Sequence, residues 1–276
     1  MNKKTLALGL SCLVLFVLTG CGGDKQKANK EPQKLTVFAA ASMTETLKEL
    51  GDKYMAENKN VKIVYNFDSS GTLKTQIQEG AACDVFISAG QKQMNQLDIK
   101  AGEKLNPKKL DFILDGSRFN ILENKVALVV PKGNSKNIKS YDDLFKKLKS
   151  EKIMLAMGNS DVPVGQYTLK IFNYYKLDDK SLAKAGKITY GSNVKEVTTQ
   201  VSEGTVDAGI IYQTDATSAK LTVVDTATKE MCGQVIYPAA ILKNSKNQAE
   251  AKKYLDFLKT DASGAVFKKV GFTPVK

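Results

Sequence analysis

The chain contains no histidine and no tryptophan. Without imidazole, Ser-His-Asp and Cys-His nucleophilic catalysis are excluded, and so is every histidine-ligated metal site. The side chain that ordinarily titrates near neutrality is missing too. Cysteine is scarce, with four in 276 residues, and Cys12 and Cys21 fall in the N-terminal segment. An oxidising exterior would permit a bridge between the remaining pair, Cys83 and Cys232. Each lies beside a strand-like apolar run, where buried free thiols are common, so free thiols are the expectation and a disulfide the alternative. No apolar run is long enough to span a bilayer. The longest, Leu6 to Leu18, falls short of the roughly 20 residues a spanning helix needs.

That run has another reading. Lys3 and Lys4 precede it and small residues follow it, which is the layout of a secretory signal peptide over residues 1–20. The exit Leu18-Thr19-Gly20-Cys21 resembles the lipobox of bacterial lipoproteins, which implies cleavage before Cys21 and lipid on its sulfur. Residues 21–34 carry no large apolar side chain and read as that lipidated cysteine followed by a flexible tether. Removing residues 1–20 takes away two lysines and no acid, lowering the net charge from +12 to +10. The lysines are scattered, and an exported protein rarely meets nucleic acid, so no nucleic-acid partner is expected. The charge fits solubility, an anionic wall and the steering of anionic ligands.

From residue 35 onward strand and helix patterns alternate. Short apolar runs occur at Leu35–Ala39, Val61–Phe67, Asp84–Ser88, Val126–Val130, Ile153–Met157, Asp207–Tyr212 and Val235–Leu242. Helical spacing appears between them, as in Leu47, Leu50 and Tyr54, and at Tyr141–Leu148, Gln166–Tyr175, Val194–Ser202 and Gln248–Leu258. Such alternation argues an α/β fold with mainly parallel sheets.

The junctions between strands and helices carry the functional signal. Ser42 and Glu45 have capping-box spacing, which predicts Ser42 at a helix N-cap. Asp68-Ser69-Ser70-Gly71-Thr72 leads into a second helix, Asn159–Gly165 into a third with Pro163 in its first turn, and Gly191-Ser192-Asn193-Val194 into a fourth. Each helix start offers unpaired N–H groups and the positive end of a dipole, and converging starts bind anions without a charged side chain. Taken singly, Ser42 reads as a plain cap, Ser69 and Ser70 as turn residues, and Tyr212 as a core tyrosine.

Val37-Phe38-Ala39-Ala40-Ala41-Ser42-Met43-Thr44-Glu45 resembles the opening strand and loop of the periplasmic molybdate-binding protein family. Asn66–Leu73, Gly80–Ala89, Val162–Tyr167, Gly209–Ala216, Tyr237-Pro238-Ala239 and Phe267–Thr273 extend the likeness in order. The resemblance implies a two-lobed type II binding-protein fold, with two crossover strands at the hinge. The lobes would be residues 35–125, 126–236 and a return to the first lobe over 237–276. It implies an oxyanion ligand, molybdate or tungstate, held by the hydroxyls of Ser42, Ser70 and Tyr212 and by backbone amides of the two serines, Val164 and Val194. These groups would touch the oxygens rather than the metal. It also implies no enzyme activity, no cofactor, a monomer, and the permease and ATPase subunits of an ABC importer as partners. The segment around Val194 matches only loosely. Asp68 stands where a small residue is expected, and should turn outward, toward the positive end of the following helix.

Two other functions fit some of the residues. Sulfate or phosphate could occupy the same fold, and a Ser-Lys enzyme could pair Ser70 with Lys74. A lysine four residues into the helix, however, points back along the solvent face.

Overall fold

The computed structural model describes residues 31–275. The expected signal peptide, Cys21 and the tether as far as residue 30 lie outside them. Strands β1 (Gln33–Ala40), β2 (Val61–Asp68), β3 (Val85–Ile87), β4 (Phe119–Asn124), β10 (Val235–Ile241) and β11 (Thr273–Pro274) form one sheet, in the order β11-β4-β10-β3-β1-β2. Strands β5 (Val126–Val130), β6 (Leu155–Gly158), β7 (Ile188–Gly191), β8 (Ala208–Tyr212) and β9 (Thr222–Thr226) form a second, ordered β7-β6-β8-β5-β9. Each sheet is the centre of one lobe, and the molecule is a two-lobed α/β protein.

The mainly parallel pairing expected from sequence holds for β2-β1-β3 and for β7-β6-β8. The rest of each sheet is antiparallel: β10 pairs that way with β3 and β4, and β5 with β8 and β9. The reason is topological. A parallel pair needs a crossover helix, whereas strands that arrive from the other lobe have no such constraint. The chain leaves the first sheet at Asn124 and starts the second at Val126, then returns between Thr226 and Val235. Val235 and Ile236 already pair with Asn124 and Glu123 of β4, so the return precedes residue 237.

The helices in chain order are α1 (Thr44–Glu57), α2 (Ser70–Gln78), α3 (Gln91–Asn95), α4 (Tyr141–Ser150), α5 (Pro163–Tyr174), α6 (Asp179–Lys184), α7 (Val194–Ser202), α8 (Gln213–Ser218), α9 (Lys229–Cys232), α10 (Gln248–Leu258) and α11 (Asp261–Val270). Their apolar stripes cover the sheets. On α4, Ser140 caps the first turn by accepting from the Asp143 N–H at 3.1 Å, and Tyr141, Leu144, Phe145 and Leu148 are buried. Burial of each such side chain contributes roughly 1.5–3 kcal/mol. Every residue of β5 is buried, as a strand covered on both faces requires. Cys83 and Cys232 are free and buried, and burial raises the pKa of both thiols.

Candidate functional site

Four chain segments end against one another between the lobes. From the first lobe, β1 runs into a tight 3-10 turn, Ala41–Met43, before α1 begins. The cap of α1 is Met43 and no side chain bonds there, so Ser42 does not form the capping box expected of it. The extra 3-10 turn moves the helix start one residue on. Ser42 instead faces inward, its Oγ 2.8 Å from the Tyr237 hydroxyl, while both Glu45 oxygens lie 2.9 Å from Lys195 of the other lobe.

The second segment is the start of α2. Ser69 is its cap and accepts from the Thr72 N–H at 3.1 Å. That leaves Ser70 as the first helical residue, buried, with its Oγ accepting the Ala89 N–H at 2.9 Å. An oxygen engaged from behind in this way keeps its own proton for a ligand.

The second lobe contributes the other two starts. Pro163 takes the first position of α5 and Val164 the next; Asn193 caps α7 by accepting from Glu196 N–H at 3.1 Å, and Val194 is the first helical residue. Neither valine amide has a carbonyl one turn back to bond, which is why both are available to a ligand. Tyr212 ends β8 and reaches across the cleft, donating to the Ala89 carbonyl at a long 3.4 Å. Burial, first, and then the neighbouring Tyr237 hold the Tyr212 pKa well above that of a free phenol.

Ser42, Ser70, Val164, Val194 and Tyr212 thus line one small space of about 10 Å³. Organic ligands occupy sites of roughly 300–1,000 Å³, far more than this space offers. Its remaining wall is Ala40, Ala41, Asp68, Ser69, Ala89, Val162 and Pro163, with no lysine or arginine. The donors themselves carry no charge, which is how oriented amides and helix ends receive an anion, and Asp68 is the one charged side chain on the wall. A larger groove adjoins it, sharing Ser69 and flanked by Lys74 and Lys92. That groove is also lined by Gly71 and Thr72 of α2, Asn159 and Asp161 ahead of α5 and Ser192 ahead of α7, but only the small cavity gathers the hydroxyls of Ser42, Ser70 and Tyr212, which makes it the candidate site.

Sequence reasoning missed three features. Ala89 serves both lobes, giving its N–H to Ser70 and its carbonyl to Tyr212; a backbone role leaves no side-chain signal. Asp68 does not turn outward. It stands on the cavity wall, its Oδ1 accepting from its neighbour Ser69 N–H at 2.6 Å and from Asn193 Nδ2 of the opposite lobe at 3.4 Å. Asp215 is the third. Its side chain is wholly buried on α8, 3.1 Å from Lys195 Nζ, and burial pushes its pKa up to about 6. Lys195 therefore joins Asp215 in its own lobe to Glu45 in the other.

A family model described as "Bacterial extracellular solute-binding protein" matches residues 35–273. The chain belongs to this family. Solute-binding proteins of this kind are binders, and this one is not an enzyme. The chain is 33% identical over 273 residues to a Bacillus subtilis (strain 168) protein provisionally named ABC transporter substrate-binding lipoprotein YvgL, covering 98% of each. It is 32% identical over 246 residues to the molybdate-binding protein ModA of Haemophilus influenzae, covering 87% of this chain and 90% of that one. The solved structure of the Azotobacter vinelandii periplasmic molybdate-binding protein superposes with a TM-score of 0.73 at 22% identity, covering 88% of this chain and 100% of that one, which shows the shared fold. The family is extracellular, and among the described residues no helix is long and apolar enough to cross a membrane.

Proposed function

We propose that this protein captures molybdate or tungstate outside the membrane and delivers it to an ABC importer, held to the membrane by lipid on Cys21. The observation that supports it best is the convergence of Ser42, Ser70, Val164, Val194 and Tyr212, from both lobes, on one small cavity without a cationic side chain. Counting the amides of both serines, seven donors would surround a dianion. At about 1.5–3 kcal/mol each they contribute roughly 10–20 kcal/mol before dehydration and lobe closure are subtracted. A dissociation constant between about 1 nM and 1 µM follows. Because ligand contacts come from both lobes, the bound anion favours the closed form, which is the state a permease would read.

A phosphate reading has one observation in its favour, the Asp68 carboxylate on the cavity wall. Near neutral pH phosphate carries a proton that needs an acceptor, whereas molybdate, tungstate and sulfate need donors only. Calorimetry of the four anions decides. We expect molybdate and tungstate to bind tightly, and sulfate at least about a hundredfold more weakly, because donors spaced for longer metal–oxygen bonds cannot all reach it. Ser42→Ala, Ser70→Ala and Tyr212→Phe should each weaken molybdate about ten- to a hundredfold. Tight phosphate binding that disappears in Asp68→Ala would overturn the molybdate reading. The lipid anchor has its own check: Cys21→Ser should leave the membrane fraction with its affinity unchanged, and a variant still sedimenting with membranes rejects the anchor.

A further inference from the structure

The two serine hydroxyls in the cavity are backed differently. Ser70 Oγ takes a backbone N–H, that of Ala89 at 2.9 Å, a donor that cannot reverse. Ser42 Oγ is backed at 2.8 Å by the Tyr237 hydroxyl, which can donate or accept. Left to itself, that pair could turn the Ser42 proton toward Tyr237 and present only lone pairs to the anion. Tyr237 lies on β10, is fully buried, and does not line the cavity.

Asn124 removes the ambiguity. Its Oδ1 accepts the Lys125 N–H at 2.8 Å, which identifies the other end of the amide as the NH2 group. That NH2 donates to Tyr237 at 3.1 Å and to Thr214 Oγ1 at 3.0 Å. Asn124 Nδ2 can only donate to Tyr237, so among the hydrogen bonds of the described residues Ser42 Oγ, at 2.8 Å, is the acceptor open to the Tyr237 proton. The hydrogen bonds then run one way, from Asn124 through Tyr237 to Ser42, and the Ser42 proton is left for the cavity. A chain of this kind also polarises each member toward the next.

We propose that Tyr237, oriented by Asn124, is a positioning residue that fixes the Ser42 hydroxyl as a hydrogen-bond donor to the bound anion. The proposal rests on the anion-binding reading of the cavity. Asn124 sits where the chain leaves the first lobe and Tyr237 where it has just returned, so the relay is built from the two lobe crossings. It does not touch the ligand; it acts through Ser42.

A double-mutant cycle with Ser42 separates this from a structural role. The probe is molybdate, or whichever of the four anions the wild-type protein binds most tightly. Tyr237→Phe should weaken binding about tenfold in the wild-type background and not at all in a Ser42→Ala background. An equal loss in both backgrounds, or no loss in either, overturns the proposal. Should Tyr237→Phe fail to fold, Asn124→Asp serves as the second variant. A carboxylate accepts from Tyr237 instead of donating, which turns the Ser42 proton away from the cavity. Its loss of affinity should again shrink in the Ser42→Ala background. A loss of the same size there means charge repulsion or misfolding, and rejects the relay. If wild-type protein binds none of the four anions, the functional reading itself is lost, an outcome distinct from an additive cycle.

Discussion

Gly71→Ala should abolish tight anion binding while leaving the unliganded protein as stable as before, or more so. Gly71 is the second residue of α2, where a glycine costs a helix roughly 0.5–1 kcal/mol relative to alanine. Helix propensity alone therefore favours the substitution. The opposite lobe does not. A Cβ at position 71 would lie 2.3 Å from the Asp161 carbonyl oxygen, which belongs to the loop leading into α5. Backbone on both sides leaves nothing flexible to yield, so the lobes must part. Parting them withdraws the Val164 and Val194 amides and the Tyr212 hydroxyl from the anion. Three such contacts at about 1.5 kcal/mol or more amount to over 4 kcal/mol, more than a thousandfold in affinity. Calorimetry and melting of the free protein check both halves. Wild-type affinity in Gly71→Ala would show that binding does not need this closed approach.

Asp215→Asn is expected to stabilise the protein above pH 6 and to make no difference in strong acid. The buried carboxylate has its pKa pushed from 3.8 to about 6, chiefly by burial, which Lys195 offsets only in part. A raised pKa means the native state holds its proton more tightly than the unfolded chain does. The resulting stability is fully present below about pH 4 and is lost as the pH rises through about 6. At pH 7.5 the wild type carries an ionised, poorly solvated Asp215, and an uncharged asparagine avoids that state. The rise from 3.8 to about 6 corresponds to about 3 kcal/mol. Denaturant unfolding of both proteins from pH 4 to 8 should show the gap opening between about pH 4 and 6 and then staying level. A variant less stable than wild type at pH 7.5 would mean that the Lys195 ion pair outweighs the cost of burial. The donors of the site are hydroxyls and amides, so affinity should be flat from about pH 6.5 to 8 unless the Asp68 carboxylate on the cavity wall takes part.

The local devices were legible in the chain because they depend on neighbours in sequence. Strand-to-helix alternation, Pro163 at a helix start, small residues ahead of Ser70 and the Gly191–Val194 entry to a fourth helix are all short-range features, and the structure contains each of them. Short or irregular elements were not legible. Strand β4, Phe-Asn-Ile-Leu-Glu-Asn, has no clean alternation, and α11 has Gly264 in its middle. The capping box at Ser42 was legible and misleading, since its spacing is equally compatible with a 3-10 turn that postpones the helix.

By itself, the sequence determined what kinds of chemistry were open. A chain without histidine, with four small-residue helix starts and three well-placed hydroxyls, can offer donors to an anion and can do little acid–base work near neutrality. Only the tertiary structure decided where those donors point. Asp68 faces the cleft because Asn193 stands opposite, Asp215 is poised near pH 6 because its surroundings exclude water, and Ser42 donates because Asn124 and Tyr237, 82 and 195 residues further along the chain, fix the direction of its hydrogen bond. Hydrogen-bond direction and desolvation depend on what is adjacent in space, and adjacency across two lobes and two crossings is not written in any local run of residues.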